Sequence, residues 1–438
     1  MAAPLAAQQP LPRKGVFGAL LAPLSDSVRA AHRLAAADSG TVLVSITPGS
    51  TASGLDLRSG DLLLAINGGT VPTPARAVGA IGSVPAGAPI AVRFSRSGRT
   101  MTATGTMQPR LLERTATWET IADEVTVDGR RRRVLITRPL APGRHPTLFF
   151  IGGIGGYSLD GLLDALQVPY GHVLKAFADA GWATVRVDKP GQGDSEGGAI
   201  TELLFDDELA GYRAALGSLH KHAFIDTGRV VLFGHSMGGS HGPILASEAP
   251  WLRGIAVYGT LGVTWPEYWL STLRRQYVLG GVPAGTAEQL LKDQARITHH
   301  IFNDGMTPAE VAAAKPDLAA AVQNGYGAGN TISGMGVPFF RQLHARNIAE
   351  HWAALRMPVL VMAGESDFVA SREDHPIIAD IVNAAHPGTA EYRLLPAIDH
   401  WLNRRASYAE SRAGMGQPGA FNPVINEALL DWARKVTQ

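Results

Sequence analysis

From Gly15 to about Met107 the chain alternates short apolar runs with Gly, Pro and Ser turns. Thr41-Val-Leu-Val-Ser-Ile-Thr, Asp61-Leu-Leu-Leu-Ala-Ile-Asn and Ile90-Ala-Val-Arg-Phe-Ser-Arg read as strands, the last turning at Ser97-Gly98. Pro74 to Val84 reads as a short helix between the second and third. Further on, Glu124-Val-Thr-Val-Asp-Gly-Arg and Val134-Leu-Ile-Thr-Arg form a hairpin pattern about an Asp-Gly turn. The rhythm then changes. Thr147-Leu-Phe-Phe-Ile, Ala183-Thr-Val-Arg-Val, Arg229-Val-Val-Leu-Phe, Gly254-Ile-Ala-Val-Tyr and Pro358-Val-Leu-Val-Met are near-continuous apolar runs, separated mostly by helical patterns. Such runs are what parallel strands covered on both faces require, and they predict an α/β fold with a doubly wound, mostly parallel sheet. The alternation fails once, from about Leu261 to Leu355, which supplies helical segments and no strand pattern; a helical cap inserted into the sheet domain is expected there.

Length and composition extend this picture. At 438 residues the chain exceeds one ordinary domain, and the pattern divides it into a small mainly-β domain over 13–108 and an α/β domain over 109–438. Hydrophobic residues at 45% and charged residues at 18% describe a globular protein. A net charge of +1 supplies no field for nucleic acid or an anionic membrane. The only local basic run, Arg130 to Arg133, is expected on a solvated strand face. Cysteine is absent, which excludes disulfides, thiolate metal sites and a cysteine nucleophile. No stretch is long and apolar enough to be a transmembrane segment. The opening Met1-Ala-Ala-Pro-Leu-Ala-Ala-Gln-Gln-Pro lacks the regions of a signal peptide, but its small residues are similar to what a cleaved one leaves, and export is the expectation.

In the first domain, Pro48-Gly49-Ser50-Thr51-Ala52-Ser53-Gly54-Leu55, then Arg58-Ser59-Gly60-Asp61 and Ile66-Asn67-Gly68, resemble the bacterial type of PDZ domain over nearly the whole segment. That resemblance implies a loop of backbone N–H groups that captures peptide C-termini while the peptide adds to a sheet edge beside a helix. The matching loop is Lys14-Gly15-Val16-Phe17-Gly18, with Val16, Phe17 and Gly18 as peptide-binding residues, and the helix is the one near Pro74 to Val84. The other reading is a domain that only packs on the catalytic unit or shapes its entrance.

Candidate chemistry lies in the second domain. Gly234-His235-Ser236-Met237-Gly238 fits G-x-S-x-G, and so does Gly193-Asp194-Ser195-Glu196-Gly197. The pattern marks a serine on a sharp strand-to-helix turn, where flanking residues must lack side chains. Context favours Ser236, which directly follows the apolar Val230-Val-Leu-Phe and precedes a helical pattern; Ser195 sits several residues past its strand. A serine hydroxyl needs a base, and the base needs an orienting carboxylate. Asp367, just past the strand Pro358 to Met362, and His400, after the last strand Tyr392-Arg-Leu-Leu, fall in the order serine, acid, histidine. Glu365 is the alternative acid, Asp399 is read as structural, and His375 and His386 as surface or packing residues.

The oxyanion of an acyl-transfer intermediate needs N–H donors. One is expected from Met237 and the other from the loop Gly152-Gly153-Ile154-Gly155-Gly156-Tyr157, at Gly153 or Ile154 depending on register, with Gly153 preferred and Ile154 then contacting substrate. In the cap, Trp265, Tyr268, Trp269 and Tyr277 could line a substrate pocket or simply pack, and Trp265 and Trp269 are taken as substrate-binding. The Gly-rich loop fails G-x-G-x-x-G, with Ser158 where the last glycine would stand, and His299-His300 and Glu350-His351 lack the spacing of a zinc helix; no cofactor and no metal are expected.

The elbow, the Gly-rich loop, Asp188-Lys-Pro-Gly-Gln-Gly-Asp-Ser-Glu-Gly, Gly364-Glu-Ser-Asp and Asp399-His resemble the α/β-hydrolase superfamily from about Glu124 onward, interrupted by the cap, and are most similar to its bacterial esterases and serine-aminopeptidase-like members. This implies a serine hydrolase acting on a small-molecule ester through an acyl-enzyme at Ser236. Two alternatives stand beside it. A peptidase or amidase would use acidic cap residues, Glu267, Glu288 or Asp293, to hold a substrate amine, and an inactive scaffold would act through its PDZ-like domain.

Overall fold

The computed structural model describes residues 10–32, 34–35, 39–164, 168–326, 330–370 and 372–438. The expectation of a cleaved leader rests on residues 1–9, which lie outside the described residues. The chain divides into two compact units, Met1–Leu111 and Leu112–Gln438.

In the first unit an antiparallel sheet runs in the order Ala19–Pro23, Thr41–Ile46, Leu62–Ile66, Pro89–Arg96, Arg99–Thr106, with the short strand Gly69–Thr70 paired to Leu62–Ile66. The apolar runs of the sequence supply its three central strands. Arg99–Thr106 has no such run and is largely exposed; it is a strand because Ser97 and Gly98, both at positive φ, turn the chain back onto its neighbour. Helix Pro74–Gly82 starts on a Thr73 cap with proline in its first turn. Phe17, Leu43, Leu63, Val92, Phe94 and Met107 are among the core residues.

The second unit is built on eight strands: β1 (Trp118–Val127), β2 (Arg130–Pro139), β3 (His145–Ile151), β4 (Ala183–Val187), β5 (Ile225–His235), β6 (Gly254–Tyr258), β7 (Val359–Gly364) and β8 (Ala390–Leu395). They lie in the order β1-β2-β4-β3-β5-β6-β7-β8. The pairs β1·β2 and β2·β4 are antiparallel and the rest are parallel. The β1–β2 hairpin turns at Asp128-Gly129, both at positive φ, as the Asp-Gly pair predicts. Successive residues of the parallel strands enter opposite cores. Phe149 and Ile151 of β3 pack with helices Phe205–Ser218 and Gly238–Glu248; Leu148 and Phe150 pack with helices Pro169–Asp179 and Val424–Val436. Each such fully buried side chain contributes roughly 1.5–3 kcal/mol.

Between β6 and β7 the chain forms the cap, with helices Trp265–Leu279, Ala284–Phe302, Pro308–Ala314, Ala319–Tyr326, Val337–His344 and Ile348–Ala353. It is not wholly helical, since Thr331–Ile332 and Met335–Gly336 pair as a minimal hairpin.

The basic run at the start of β2 corrects the expectation of a solvated face. Arg132 and Arg133 are buried. Arg131 pairs with Glu196 at 2.9 Å and Arg133 with Asp194 at 3.1 Å, fastening the loop that follows β4. Arg132, on the opposite face, donates to the Glu196 backbone carbonyl; an alternating strand pattern cannot show that a loop from elsewhere supplies these partners.

Because the chain leaves β3 toward β4 on one side and reaches β5 on the other, the carboxyl ends of β3 and β5 meet at a topological switch point. A crevice opens there in such sheets.

Candidate active site

Strand β5 ends at His235 and helix Gly238–Glu248 begins within three residues, leaving Ser236 on the turn between them. Ser236 has φ +55°, a left-handed conformation that costs a non-glycine residue about 1–2 kcal/mol. Its N–H donates to the Tyr258 carbonyl at 2.9 Å and its carbonyl accepts from Gly239 N–H at 2.9 Å, so the strain is held from both sides. The flanking glycines are sterically required. A Cβ at Gly234 would lie 2.5 Å from the Gly238 carbonyl oxygen, and one at Gly238 would lie 2.2 Å from that of Ile151. The competing Ser195 is buried in a wall: its hydroxyl donates to the Asp188 carbonyl at 2.8 Å and accepts from Arg133 N–H at 2.9 Å.

The geometry brings Ser236, His400 and Asp367 together. Ser236 Oγ is 3.0 Å from His400 Nε2, and His400 Nδ1 is 2.8 Å from Asp367 Oδ2. A carboxylate only accepts, so Nδ1 carries the proton and Nε2 is left to accept from the serine hydroxyl. Asp367 is fully buried, and its Oδ1 accepts from Val369 N–H at 2.9 Å and Ala370 N–H at 2.8 Å. Burial pushes this carboxyl up, but the His400 charge, its hydrogen bond and the Ala370 amide outweigh burial and hold it below the ordinary value. Gly259, at φ +62°, passes so close that a Cβ there would lie 3.0 Å from Asp367 Oδ2 and 3.1 Å from His400 Nδ1.

The other candidates for acid and base are engaged elsewhere. Glu365 accepts from Ala397 N–H at 3.1 Å. The Asp399 carboxylate accepts from Trp401 and Asn403 amides at 2.9 and 2.8 Å, shaping the turn that carries His400. Buried His375 accepts from Thr260 N–H at 3.0 Å, and His386 ends helix His375–Ala385.

Met237, Gly153 and Ile154 all border the cavity beside Ser236. Gly153, preferred as oxyanion donor from the sequence, is engaged through both its N–H and its carbonyl. Its N–H is directed to Tyr170 Oη at 3.4 Å. Its carbonyl accepts from Lys189 Nζ at 2.6 Å and from Tyr157 Oη at 3.0 Å. In a planar trans peptide the N–H opposes the C=O, so the Ile154 N–H points away from Lys189 and Tyr157. Glycine at 153 is still required, because a Cβ would lie 3.0 Å from that of Ser236.

Sequence reasoning gave His235 and Tyr170 no role. His235 Nε2 donates to the His400 carbonyl at 2.8 Å, and Tyr170 Oη donates to His235 Nδ1 at 2.7 Å. Burial, with the nearby His400 charge, pushes His235 down to about 3, so it stays neutral and keeps this single proton arrangement. Burial likewise raises Tyr170 to about 12. These two side chains tie the Gly-rich loop to the turn that carries His400.

The cavity at Ser236 has a volume of about 330 Å³. Trp265, Tyr268 and Trp269 from the cap line it, as do Phe368 and Trp401, the neighbours of Asp367 and His400; Tyr277 is not among the described lining residues. Its polar lining includes Thr272 and Gln276, and among the described residues no Asp, Glu, Lys or Arg lines it. The acidic cap residues are occupied elsewhere. Glu267 caps its own helix through Thr264, Glu288 pairs with Arg274 at 3.0 Å, and Asp293 accepts from Gln289 at 3.0 Å. Among the described residues no group of three or more His, Cys, Asp or Glu is placed to hold a metal ion, and no helix is long and apolar enough to cross a membrane.

In the first unit the Val16 N–H donates to the Gln108 carbonyl at 2.8 Å and is therefore engaged within the domain. The Phe17 ring is buried in the core. Gly18, at φ +74°, lies against Ser50, where a Cβ would approach the serine Cβ to 2.1 Å.

A family model described as serine aminopeptidase, S33, matches residues 167–403, over half of the chain. A search of curated proteins found no match. Among solved structures, Est1E from Butyrivibrio proteoclasticus with ferulic acid bound is 15% identical over 72% of this chain and 98% of its own, with a TM-score of 0.44. VinJ is 20% identical over 72% and 99%, TM-score 0.44. A malate-bound thermophilic esterase from Thermogutta terrifontis is 16% identical over 73% and 100%, TM-score 0.41.

Proposed function

The chain belongs to the serine aminopeptidase S33 family of α/β-hydrolases, and from that premise we propose that it cleaves neutral carboxylic esters through an acyl-enzyme at Ser236. The observation that carries this reading is the relay of 3.0 and 2.8 Å from Ser236 through His400 to Asp367. His400 Nε2 takes the hydroxyl proton as Oγ attacks the ester carbonyl, and the imidazolium so formed is stabilised by Asp367. The Met237 and Ile154 amides receive the oxyanion. His400 then returns its proton to the departing alcohol, and a water repeats the sequence to release the acid.

The cavity bears on substrate class. A free α-amine entering it would be desolvated among aromatic rings with no carboxylate of the described residues to meet, which disfavours an aminopeptidase substrate. Neutral acyl or alcohol groups with aromatic or aliphatic bulk suit it. The test is a panel of neutral aryl and alkyl esters beside aminoacyl anilides, run on the parent and on Ser236→Ala, with fluorophosphonate labelling. Ester turnover and labelling that vanish with Ser236 are expected; equal turnover by Ser236→Ala removes the reading, and preference for the anilides replaces the substrate class.

For the mainly-β domain the reading is PDZ-like, with a peptide adding to the edge strand Ala19–Pro23. That strand ends the sheet and touches helix Pro74–Gly82, and Leu20 on the strand and Val78 on the helix are each 60% exposed. Fluorescence anisotropy of labelled peptides with apolar C-termini should show binding that Leu20→Lys or Val78→Lys weakens; no binding by the parent leaves the domain a packing element.

A further inference from the structure

Behind the Gly-rich loop lies a buried charged cluster that acyl transfer, as described, does not use. Lys189, two residues past β4, is 3% exposed, Glu208 2% and His241 0%. Lys189 Nζ donates to the Gly153 carbonyl at 2.6 Å, stands 3.1 Å from Glu208 Oε1 and lies 5.3 Å from the centroid of the Tyr157 ring. Glu208 Oε2 is 3.7 Å from His241 Nε2, and His241 Nδ1 donates to the Met237 carbonyl at 3.2 Å. The cluster thus reaches the backbone on both sides of the oxyanion position. Buried ion pairs are poor devices for stability alone, since apolar residues of the same volume often serve as well or better.

We propose that Lys189, held by Glu208, is a positioning residue for the oxyanion hole: its ammonium orients and polarises the Gly153–Ile154 peptide so that the Ile154 N–H meets the developing oxyanion. The proposal rests on the acyl-transfer reading of Ser236. The ammonium and the Tyr157 hydroxyl take up the Gly153 carbonyl, and peptide planarity directs the adjoining N–H the opposite way. A cation on the carbonyl also draws electron density from the amide and makes its N–H a stronger donor. The negative charge this N–H stabilises develops only in the transition state, so the contribution falls on kcat and leaves KM nearly unchanged. His241 holds the residue that carries the second donor, so the cluster supports both halves of the hole.

The experiment compares the parent with Lys189→Met, Lys189→Arg and Tyr157→Phe on p-nitrophenyl butyrate, alongside the affinity of a phenylboronic acid, whose adduct with Ser236 imitates the tetrahedral intermediate. Lys189→Met is expected to lower kcat about 10²-fold, the scale of losing one oxyanion donor, with KM within about two-fold of the parent. Boronate affinity should fall in parallel, and Lys189→Arg, which keeps the charge and a donor, should recover part of both. Parent-like kcat and boronate affinity in folded Lys189→Met overturn the proposal, as does a lowered Tm with unchanged kcat. If Lys189→Met does not fold, Tyr157→Phe decides the matter, because it removes the other bond to the same carbonyl and leaves the ion pair intact. A kcat loss of about five-fold with weaker boronate binding supports the proposal, and parent values overturn it. Failure of the acyl-transfer reading is separately visible as equal turnover by the parent and Ser236→Ala.

Discussion

Replacing Asp367 by asparagine changes the protonation of His400 while leaving the shape of the site almost untouched. The direction of the effect follows from two backbone amides. Val369 and Ala370 donate to Asp367 Oδ1 at 2.9 and 2.8 Å, so the carboxamide must keep its oxygen there and turn its NH₂ toward His400. His400 Nδ1, 2.8 Å from that position, then faces a donor and must become an acceptor. The ring proton moves to Nε2, which can no longer accept from Ser236 across 3.0 Å. Forcing this tautomer costs on the order of 10⁴-fold in kcat in a Ser-His-Asp hydrolase, about 5 kcal/mol of transition-state stabilisation. The assay is steady-state hydrolysis of a neutral p-nitrophenyl ester, with circular dichroism to show that the fold persists. Glu365→Gln is the control, since the Glu365 carboxylate is engaged by the Ala397 N–H and the substitution should leave kcat within about two-fold. A folded Asp367→Asn within about ten-fold of the parent, or a Glu365→Gln loss larger than that of Asp367→Asn, would refute the reasoning. Stability should respond as well. A carboxyl held below its ordinary value binds fewer protons folded than unfolded, so its contribution is present at neutral pH and is lost as pH falls through the folded-state value. Asp367→Asn should therefore make the acid limb of stability less steep.

Two further outcomes are expected. Gly259→Ala would set a methyl 3.0 Å from Asp367 Oδ2 at φ +62°, so a loss of roughly 1–2 kcal/mol in urea unfolding should accompany a fall in kcat of about 10²-fold if the imidazole shifts by about 1 Å; parent-like activity would show that the two loops yield freely. At Asp188, burial pushes the carboxyl up to about 6, so the folded state holds this proton to higher pH than the unfolded chain; the stability it confers is full below about pH 4 and is lost as pH rises through 6, by at most about 3 kcal/mol. Asp188→Asn, which imitates the protonated form, should gain on the parent by that amount between pH 4 and 7 in urea titrations, and a pH-independent difference would count against the assignment.

What could be read from the sequence divides along contiguity. The parallel strands were legible because each is a short apolar run buried on both faces, and the turn at Ser236 because strand, serine and helix follow one another without a break. Asp367 and His400 were legible as residues just past strand ends, a position that the chain order of the fold makes meaningful. Tyr170 and Lys189 were not. Each reaches the Gly-rich loop from another segment, and nothing in Val168-Pro-Tyr or Asp188-Lys-Pro announces a hydrogen bond to residue 153. The oxyanion register was not legible for the same reason: the glycine spacing shows that a loop approaches Ser236, whereas the partners of the Gly153 carbonyl come from Lys189 and Tyr157. The cavity wall is equally scattered, drawing Thr272 and Gln276 from a cap helix, Phe368 from the acid loop and Trp401 from the base loop.

The second G-x-S-x-G shows how one loop can be uninformative as a motif and still matter to the chemistry. Ser195 makes two buried hydrogen bonds, Asp194 and Glu196 take the arginines of β2, and Gly193, at φ +51°, has no room for a side chain because a Cβ would overlap the Asp188 carboxylate. Every polar residue of this stretch fastens the loop to the sheet. A loop held so firmly is a suitable base for Lys189, whose ammonium must stay aligned with a carbonyl 2.6 Å away if it is to orient a peptide beside the nucleophile. The glycines and serine that imitate a nucleophile elbow are thus explained by rigidity. The same residue types serve Ser236 for a different reason, since there they admit a strained turn at the crevice mouth.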